Sequence, residues 1–450
     1  MKQRNSTMKI KLFIAVFAGL LISQVISAQA TNNFSAQQTV EYGLKNAVQV
    51  KNALLDILVQ EQSNRDITSA AYPKINATGT FNDYLNIPTS LLPGEFFGGA
   101  PGTFIPVKFG TKYSSSAGVA FSQILFDGQV FVGLQARKTS IDFRKKAAEV
   151  TEENIKANIY KVYYQLVVSK TQVELLDANI SRLQKLDHDT REIYKNGFAE
   201  KLDIDKLTVQ IANLETEKMK VLNSITYGYN GLKVLIGMPF KDSLVLTDSL
   251  SDDQIKTDVL AVSDYKYNER KDFQLLELNS KLNAYNIKRY KLSQIPTLNF
   301  NANYSKQAQR SKFDFFKDGD WFTTSYIGLN LSIPIFNGFS TKAKIAQSKL
   351  ELQQTQNKIE GLKLTIDNEV EAGKNNFRVA TATMDNQKKN MVLAELVYDQ
   401  TKKKYEIGTG SSTEINTAQV DLQTAQSNYI NSLYDAIIAK VDLLKALGRL

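Results

Sequence analysis

The stretch "FDFFKDGDW" (Phe313 to Trp321) gathers three carboxylates, Asp314, Asp318 and Asp320, around Gly319. Clustered acidic oxygens are what a calcium ion takes, but neither the spacing nor the glycine position matches an EF-hand loop. A solvated surface loop is the plainer reading. Phe313, Phe315, Phe316, Trp321 and Phe322 flank it and suit an interfacial aromatic girdle. Other chemistry has little to work with. The chain has no cysteine, which removes disulfides and thiolate catalysis. Its one histidine, His188, sits in the polar helical stretch "KLDHDTRE" and reads as a solvated side chain. No phosphate-cradling glycine loop, G-x-S-x-G elbow or HExxH pair occurs. The chain is therefore read as a non-enzyme, with no catalytic, cofactor-binding or metal-ligating residues.

What the remaining residues build begins with a leader. Lys2, Arg4, Lys9 and Lys11 precede the apolar run Leu12 to Ile26, and "SAQA" (Ser27 to Ala30) offers cleavage after Ala28 or Ala30. The leader, residues 1–28, is set aside from the fold. It carries four of the positive charges behind the formal +9 and no acidic residue, so the mature chain is about +5. No nucleic-acid motif accompanies that charge, and no nucleic-acid partner is expected. No later stretch is long and apolar enough for a membrane helix, so any entry into a bilayer must be made by strands.

The mature chain repeats itself. "AYPKINATGTFNDY" (Ala71 to Tyr84) answers "QIPTLNFNANYSKQ" (Gln294 to Gln307), pairing Pro73 with Pro296 and Asn76 with Asn299. The corner Phe126-Asp127-Gly128 answers Phe336-Asn337-Gly338, where alternating apolar residues give way to helix formers. "EIYKNGFAEKLD" (Glu192 to Asp203) answers "KKYEIGTGSSTE" (Lys403 to Glu414), placing Tyr194 on Tyr405 and Gly197 on Gly408. The offset falls from 223 to 210 across the first inter-strand loop, which is thus 13 residues longer than the second. All eight prolines lie outside 107–238 and 335–450, which permits very long helices.

The pattern predicts a first repeat over 29–237, with helices at about 36–70, 129–192 and 200–236 and strands at about 72–86 and 114–127. An equatorial linker covers 238–268. The second repeat, 269–450, has helices at about 271–294, 338–405 and 412–448 and strands at about 296–306 and 324–336. The inbound helix is expected to stack end to end on the return helix, both beside the long one. The return helices carry coiled-coil-like seams, Leu207 to Leu235 and Ile415 to Leu443, read as packing. Each strand has one apolar face. An outward apolar and inward polar face is the membrane-barrel pattern, but a soluble sheet on a helical core alternates too. Four strands cannot close around a channel and lipid does not tolerate an open edge, so the membrane reading requires an oligomer.

In the order of these elements, above all the "PIFNG" corner and the "YEIGTGSSTE" turn, residues 36–450 resemble the TolC-like outer-membrane efflux protein family. The resemblance implies an α+β fold: a duplicated helix–β-hairpin–long helix–helix unit, forming a trimeric α-barrel tunnel continuous with a 12-stranded transmembrane β-barrel. It implies a homotrimer in the outer membrane of a Gram-negative bacterium, in contact with outer-membrane lipid, with a periplasmic helical portion. Its partners would be a periplasmic adaptor (membrane fusion) protein and an inner-membrane transporter. The function implied is the exit duct of a tripartite efflux pump for small molecules. A type I protein secretion duct and a poreless periplasmic adaptor are the alternatives. Gly197 and Gly408 fall at the adaptor-contact tips. Asp203, Tyr405 and Glu414 fall on a periplasmic gate, the first two as a carboxylate–phenol link and the third in a carboxylate ring. Thr417 and Gly410 stand where the family places a second ring carboxylate and a basic gate residue.

Overall fold

The computed structural model describes residues 31–249, 255, 265–317 and 319–450. The leader and its cleavage sites, linker residues 250–254 and 256–264, and Asp318 lie outside them.

The described elements, in chain order, are β1 (Thr31–Phe34), α1 (Ala36–Asn46), α2 (Val48–Ser69), β2 (Lys74–Asp83), β3 (Thr89–Pro93), β4 (Phe104–Lys108), β5 (Tyr113–Phe126), α3 (Gly128–Lys195), α4 (Lys201–Ile236), β6 (Ser243–Leu246), α5 (Lys271–Leu292), β7 (Thr297–Arg310), β8 (Phe322–Ser332), α6 (Ser340–Glu406) and α7 (Ser412–Ala446). At 1.5 Å per residue, α3 and α6 each run about 100 Å. The chain forms two compact units. One takes the described residues up to Leu55, Lys145–Leu275 and Ile359–Leu450; the other takes Asp56–Arg144 and Leu276–Lys358.

The first unit is helical and has three apolar clusters. Ile155, Ile159 and Tyr163 of α3 pack with Val40, Leu232 and Ile236. Phe377 and Met384 of α6 pack with Leu433 and Leu443 of α7. Leu176, Leu183 and Leu186 of α3 pack with Leu207, Leu214, Tyr398, Ile415 and Leu422. The seam positions Ala425 and Tyr429 are only half-buried; Gln426 and Ile430 take the buried line.

The sequence pattern reads one inbound helix over 36–70, but the backbone breaks at Ala47 (φ −56°, ψ 130°). The cause is the end of α4. Gly237 turns left-handed there (φ +71°), and a Cβ on it would stand 2.3 Å from the Asn46 carbonyl oxygen. α1 lies beside the end of α4 and does not stack end to end on it. The second repeat makes the same joint: a Cβ on Gly448 would stand 2.8 Å from the Glu269 carbonyl oxygen. Arg270, 8 % exposed along its side chain, closes this joint. It pairs with Asp272 and Glu369 at 2.7 Å each and donates to the Ala446 carbonyl at the end of α7. Nearby, Tyr265 and Tyr267 both donate to Asp367, which pushes the Tyr265 phenol up to about 12.

The second unit holds an antiparallel sheet of order β2-β5-β7-β8. The register sorts its faces. Ile75 pairs with Phe121, Phe121 with Ala302 and Ala302 with Ile327, all on an apolar face. Asn76 pairs with Ala120, Ala120 with Asn303, Asn301 with Ser122, and Asn299 with Asn330 on a polar one. β7 runs on to Arg310, beyond the sequence-predicted end, because β5 pairs with it throughout. β8 stops at Ser332, short of 336, and the two corners are built differently. Gly338 and Phe339 both take positive φ (+62° and +64°). Gly128 starts α3 directly, and a Cβ there would stand 2.8 Å from Leu292 Cβ. Asp127 accepts from the Gln129 amide at 2.7 Å and so caps α3, whereas Asn337 donates to the Thr341 hydroxyl.

The long first loop is not unstructured. It contains a separate hairpin, β3–β4, with a short 3-10 turn at Gly94–Phe97.

Candidate functional site

The residues expected to act lie at the helix tips and on the sheet. At both tips glycine ends the helix left-handed, Gly197 at φ +82° and Gly408 at φ +76°. The amide after each reaches back five residues, Phe198 to the Ile193 carbonyl at 3.1 Å and Thr409 to the Lys404 carbonyl at 3.0 Å. Nothing stands within 4 Å of a Cβ on either glycine. Phe198 and Ile407 beside them are exposed. Each tip is thus a tight turn presenting one apolar side chain to its surroundings.

Tyr405, Asp203 and Glu414, the residues expected at a gate, each have a different partner within this chain. The Tyr405 hydroxyl is 3.2 Å from Thr190 Oγ1, a fully buried residue of α3. Asp203 faces Lys206 one turn along α4 at 3.8 Å. Glu414 accepts from the Ser411 amide while Ser411 Oγ accepts from the Glu414 amide, the reciprocal capping box that starts α7. Gly410 packs against Lys404 and Tyr405: a Cβ there would stand 3.0 Å from the Tyr405 amide nitrogen.

Above the tip, α3 and α7 share a polar contact inside their seam. Asn179 donates to Gln426 at 2.8 Å and accepts from Gln419 at 3.3 Å, all three buried. The sequence gives no sign of it, because Gln419 and Gln426 each stand one residue beyond the apolar seam positions Ala418 and Ala425. Such a contact fixes helix register, since a slip would leave buried amides unpaired.

On the sheet, one carboxylate of "FDFFKDGDW", that of Asp314, is partnered by an arginine. Asp314 faces Arg310 at 3.5 Å, and Arg310 also donates to the Asp320 carbonyl at 2.8 Å. Two of the aromatic residues around them lie on the apolar face, Phe313 and Phe315 meeting Phe81 edge-on at 5.5 and 5.6 Å, whereas Phe322 pairs with Gln307 on the polar face. β8 carries the exposed row Ile327, Leu329 and Leu331 on that face. Among the described residues no helix is long and apolar enough to cross a membrane. The sheet thus has one apolar face and two edges, β2 and β8, without a partner strand among the described residues.

Comparison with known proteins agrees. Residues 267–449 match the family model described as outer membrane efflux protein. The chain is 19 % identical to the outer membrane protein TolC of Vibrio cholerae over 336 residues, 74 % of this chain and 77 % of that one. It is 21 % identical to the outer membrane efflux protein BepC of Brucella suis, across 96 % of this chain and 89 % of that one. The solved outer membrane protein VceC of Vibrio cholerae superposes with a TM-score of 0.70 at 15 % identity, covering 92 % and 96 % of the two chains. The chain shares the fold of these outer-membrane channels, and residues 267–449 are similar to the outer membrane efflux protein family.

Proposed function

We propose that this chain is the exit duct of a tripartite efflux pump, working as a homotrimer whose sheets close one 12-stranded barrel. The carrying observation is the four-stranded sheet, whose edges β2 and β8 are unpaired in one chain although one face is apolar. Open edges are not tolerated in lipid, so copies must complete the sheet. Exposed apolar residues also recur along α6, at Leu350, Leu364, Val379 and Leu393, as expected of a helix awaiting a neighbour. The polar face, rich in Asn, Ser and Gln, then lines the pore. Purified in mild detergent, the protein should run as a species of roughly 150 kDa, three times the 50.4 kDa chain. A folded, stable monomer would sink this reading.

The tips at Gly197 and Gly408 are proposed to meet a periplasmic adaptor, itself docked on an inner-membrane transporter. Their exposed Phe198 and Ile407 and the open space around the glycines support contact there. Alanine at either glycine costs about 1–3 kcal/mol of backbone strain, too little by itself to unfold a chain with helices of this length. Gly197→Ala and Gly408→Ala are therefore expected to assemble normally yet lower drug efflux in cells, alone or combined. Wild-type efflux in both variants would move the adaptor contact elsewhere.

The gate is proposed to lie just inside these tips, with Tyr405 as its central residue. In the state described, its anchor is Thr190 on α3, with Asp203 the acceptor available on the neighbouring α4. Glu414 contributes one carboxylate per copy to the entrance.

A further inference from the structure

The two loops at the end of the sheet farthest from the helix corners fold toward opposite faces. The β7–β8 loop lies on the apolar face, where Phe313 and Phe315 pack on Phe81. The β2–β5 connection goes the other way. Ile87 and Phe109 at its base close a recess of about 280 Å³, walled by the polar-face residues Thr80, Asn82, Ser116 and Gln307.

Beyond this base stands the β3–β4 hairpin, and it is apolar on both sides. Leu91 and Phe104 share one face and are 64 % and 61 % exposed; Leu92 pairs with Ile105 on the other. The turn adds Phe96 and Phe97, 81 % and 62 % exposed. The tip is formed, since the Gly94 amide donates to the Thr103 carbonyl at 2.7 Å. A lone two-stranded ribbon is marginal in water, and apolar exposure on this scale marks a contact surface.

On the trimeric-duct reading, on which this inference rests, the polar face is the pore wall. The hairpin then stands on the pore side of the barrel at its outer end, where the nearest apolar surfaces are the same hairpins of the other copies. We propose that the β3–β4 hairpins of neighbouring copies pack on one another and form an apolar constriction at the outer mouth of the duct. The occupant of the exposed faces is a second copy of this chain. An apolar ring excludes water and ions by dewetting until the hairpins part. The 13 extra residues of this loop supply the reach its counterpart lacks.

The absence of cysteine makes the test direct. Phe96→Cys puts one thiol on each hairpin tip, and a short bis-maleimide should convert most of the purified oligomer to covalent dimers. Ile327→Cys on the apolar face should stay uncross-linked. Access is the second readout. Asn303→Cys lies on the polar face below the mouth. In intact cells a bulky, impermeant maleimide should label it about tenfold faster when Phe96, Phe97 and Phe104 are all changed to serine. Replacing residues 88–109 by a short Gly-Ser turn should do the same. An oligomer whose Phe96→Cys thiols do not cross-link, or labelling unchanged in both variants, overturns the constriction; that is also the result if the hairpins bind lipid. A chain that stays monomeric overturns the duct reading itself, and the constriction with it.

Discussion

Gly237→Ala is expected to be the most damaging single-methyl change in the chain. The residue is left-handed, a conformation that costs other residues about 1–3 kcal/mol. The added Cβ would also stand 2.3 Å from a backbone oxygen, at Asn46, which no side-chain rotation relieves. Overpacking of that kind typically costs about 1–3 kcal/mol more. Gly408 is the control: its φ is +76° against +71°, but nothing lies within 4 Å of its Cβ. The two variants share the backbone strain, so their difference isolates the contact between α4 and the α1–α2 break. Thermal melts of the detergent-solubilised oligomer should place Gly237→Ala several degrees below Gly408→Ala. Equal melting temperatures would mean that the joint carries no such close contact.

Opening of the periplasmic entrance is the second large effect. Each neutral hydrogen bond contributes about 1 kcal/mol net, so three copies of the Tyr405–Thr190 link would hold the closed state by about 3 kcal/mol. Removing them shifts the closed-to-open ratio by roughly a hundredfold. Tyr405→Phe combined with Asp203→Ala should raise single-channel conductance in planar bilayers and leave oligomer stability as it was. The single variants identify the partner. Thr190→Val should reproduce Tyr405→Phe if the link seen here holds the gate, whereas Asp203→Ala should do so if the carboxylate takes over in the assembled entrance. Unchanged conductance in the double variant would dismiss the gate. Glu414 separates charge from structure. Glutamine serves a capping box as well as glutamate, so Glu414→Gln keeps the start of α7 and removes one negative charge per copy. Cation selectivity and divalent-ion block should both fall; if neither changes, Glu414 is a helix cap only.

Much of this molecule was legible in its residues, and the parts that were share a physical basis. Helix against strand follows from a local period, and proline-free stretches of 132 and 116 residues, 107–238 and 335–450, leave room for the long helices within them. The alternating Ile327-to-Leu331 row displays its face whatever it packs on. The tip glycines were readable because a left-handed helix end is a local requirement.

The misread parts depend on neighbours far along the chain. The pattern 36–70 has no internal reason to break; it breaks at Ala47 because Gly237 arrives there. Tyr405 meets Thr190, 215 residues away, and Asn179 meets Gln426, 247 residues away, through the register of packed helices, which no local period encodes. The first inter-strand loop shows its length and its glycines in the sequence, but not the side of the sheet it covers. By itself, then, the sequence determined the element types, the duplication, the amphipathic faces and the turns, because each is set by residues within a few positions of one another. The tertiary structure alone decided the Ala47 break, the partner of Tyr405 and the face of the sheet against which the base of the first loop lies. Those depend on which surfaces meet once long helices and paired strands are locked in register.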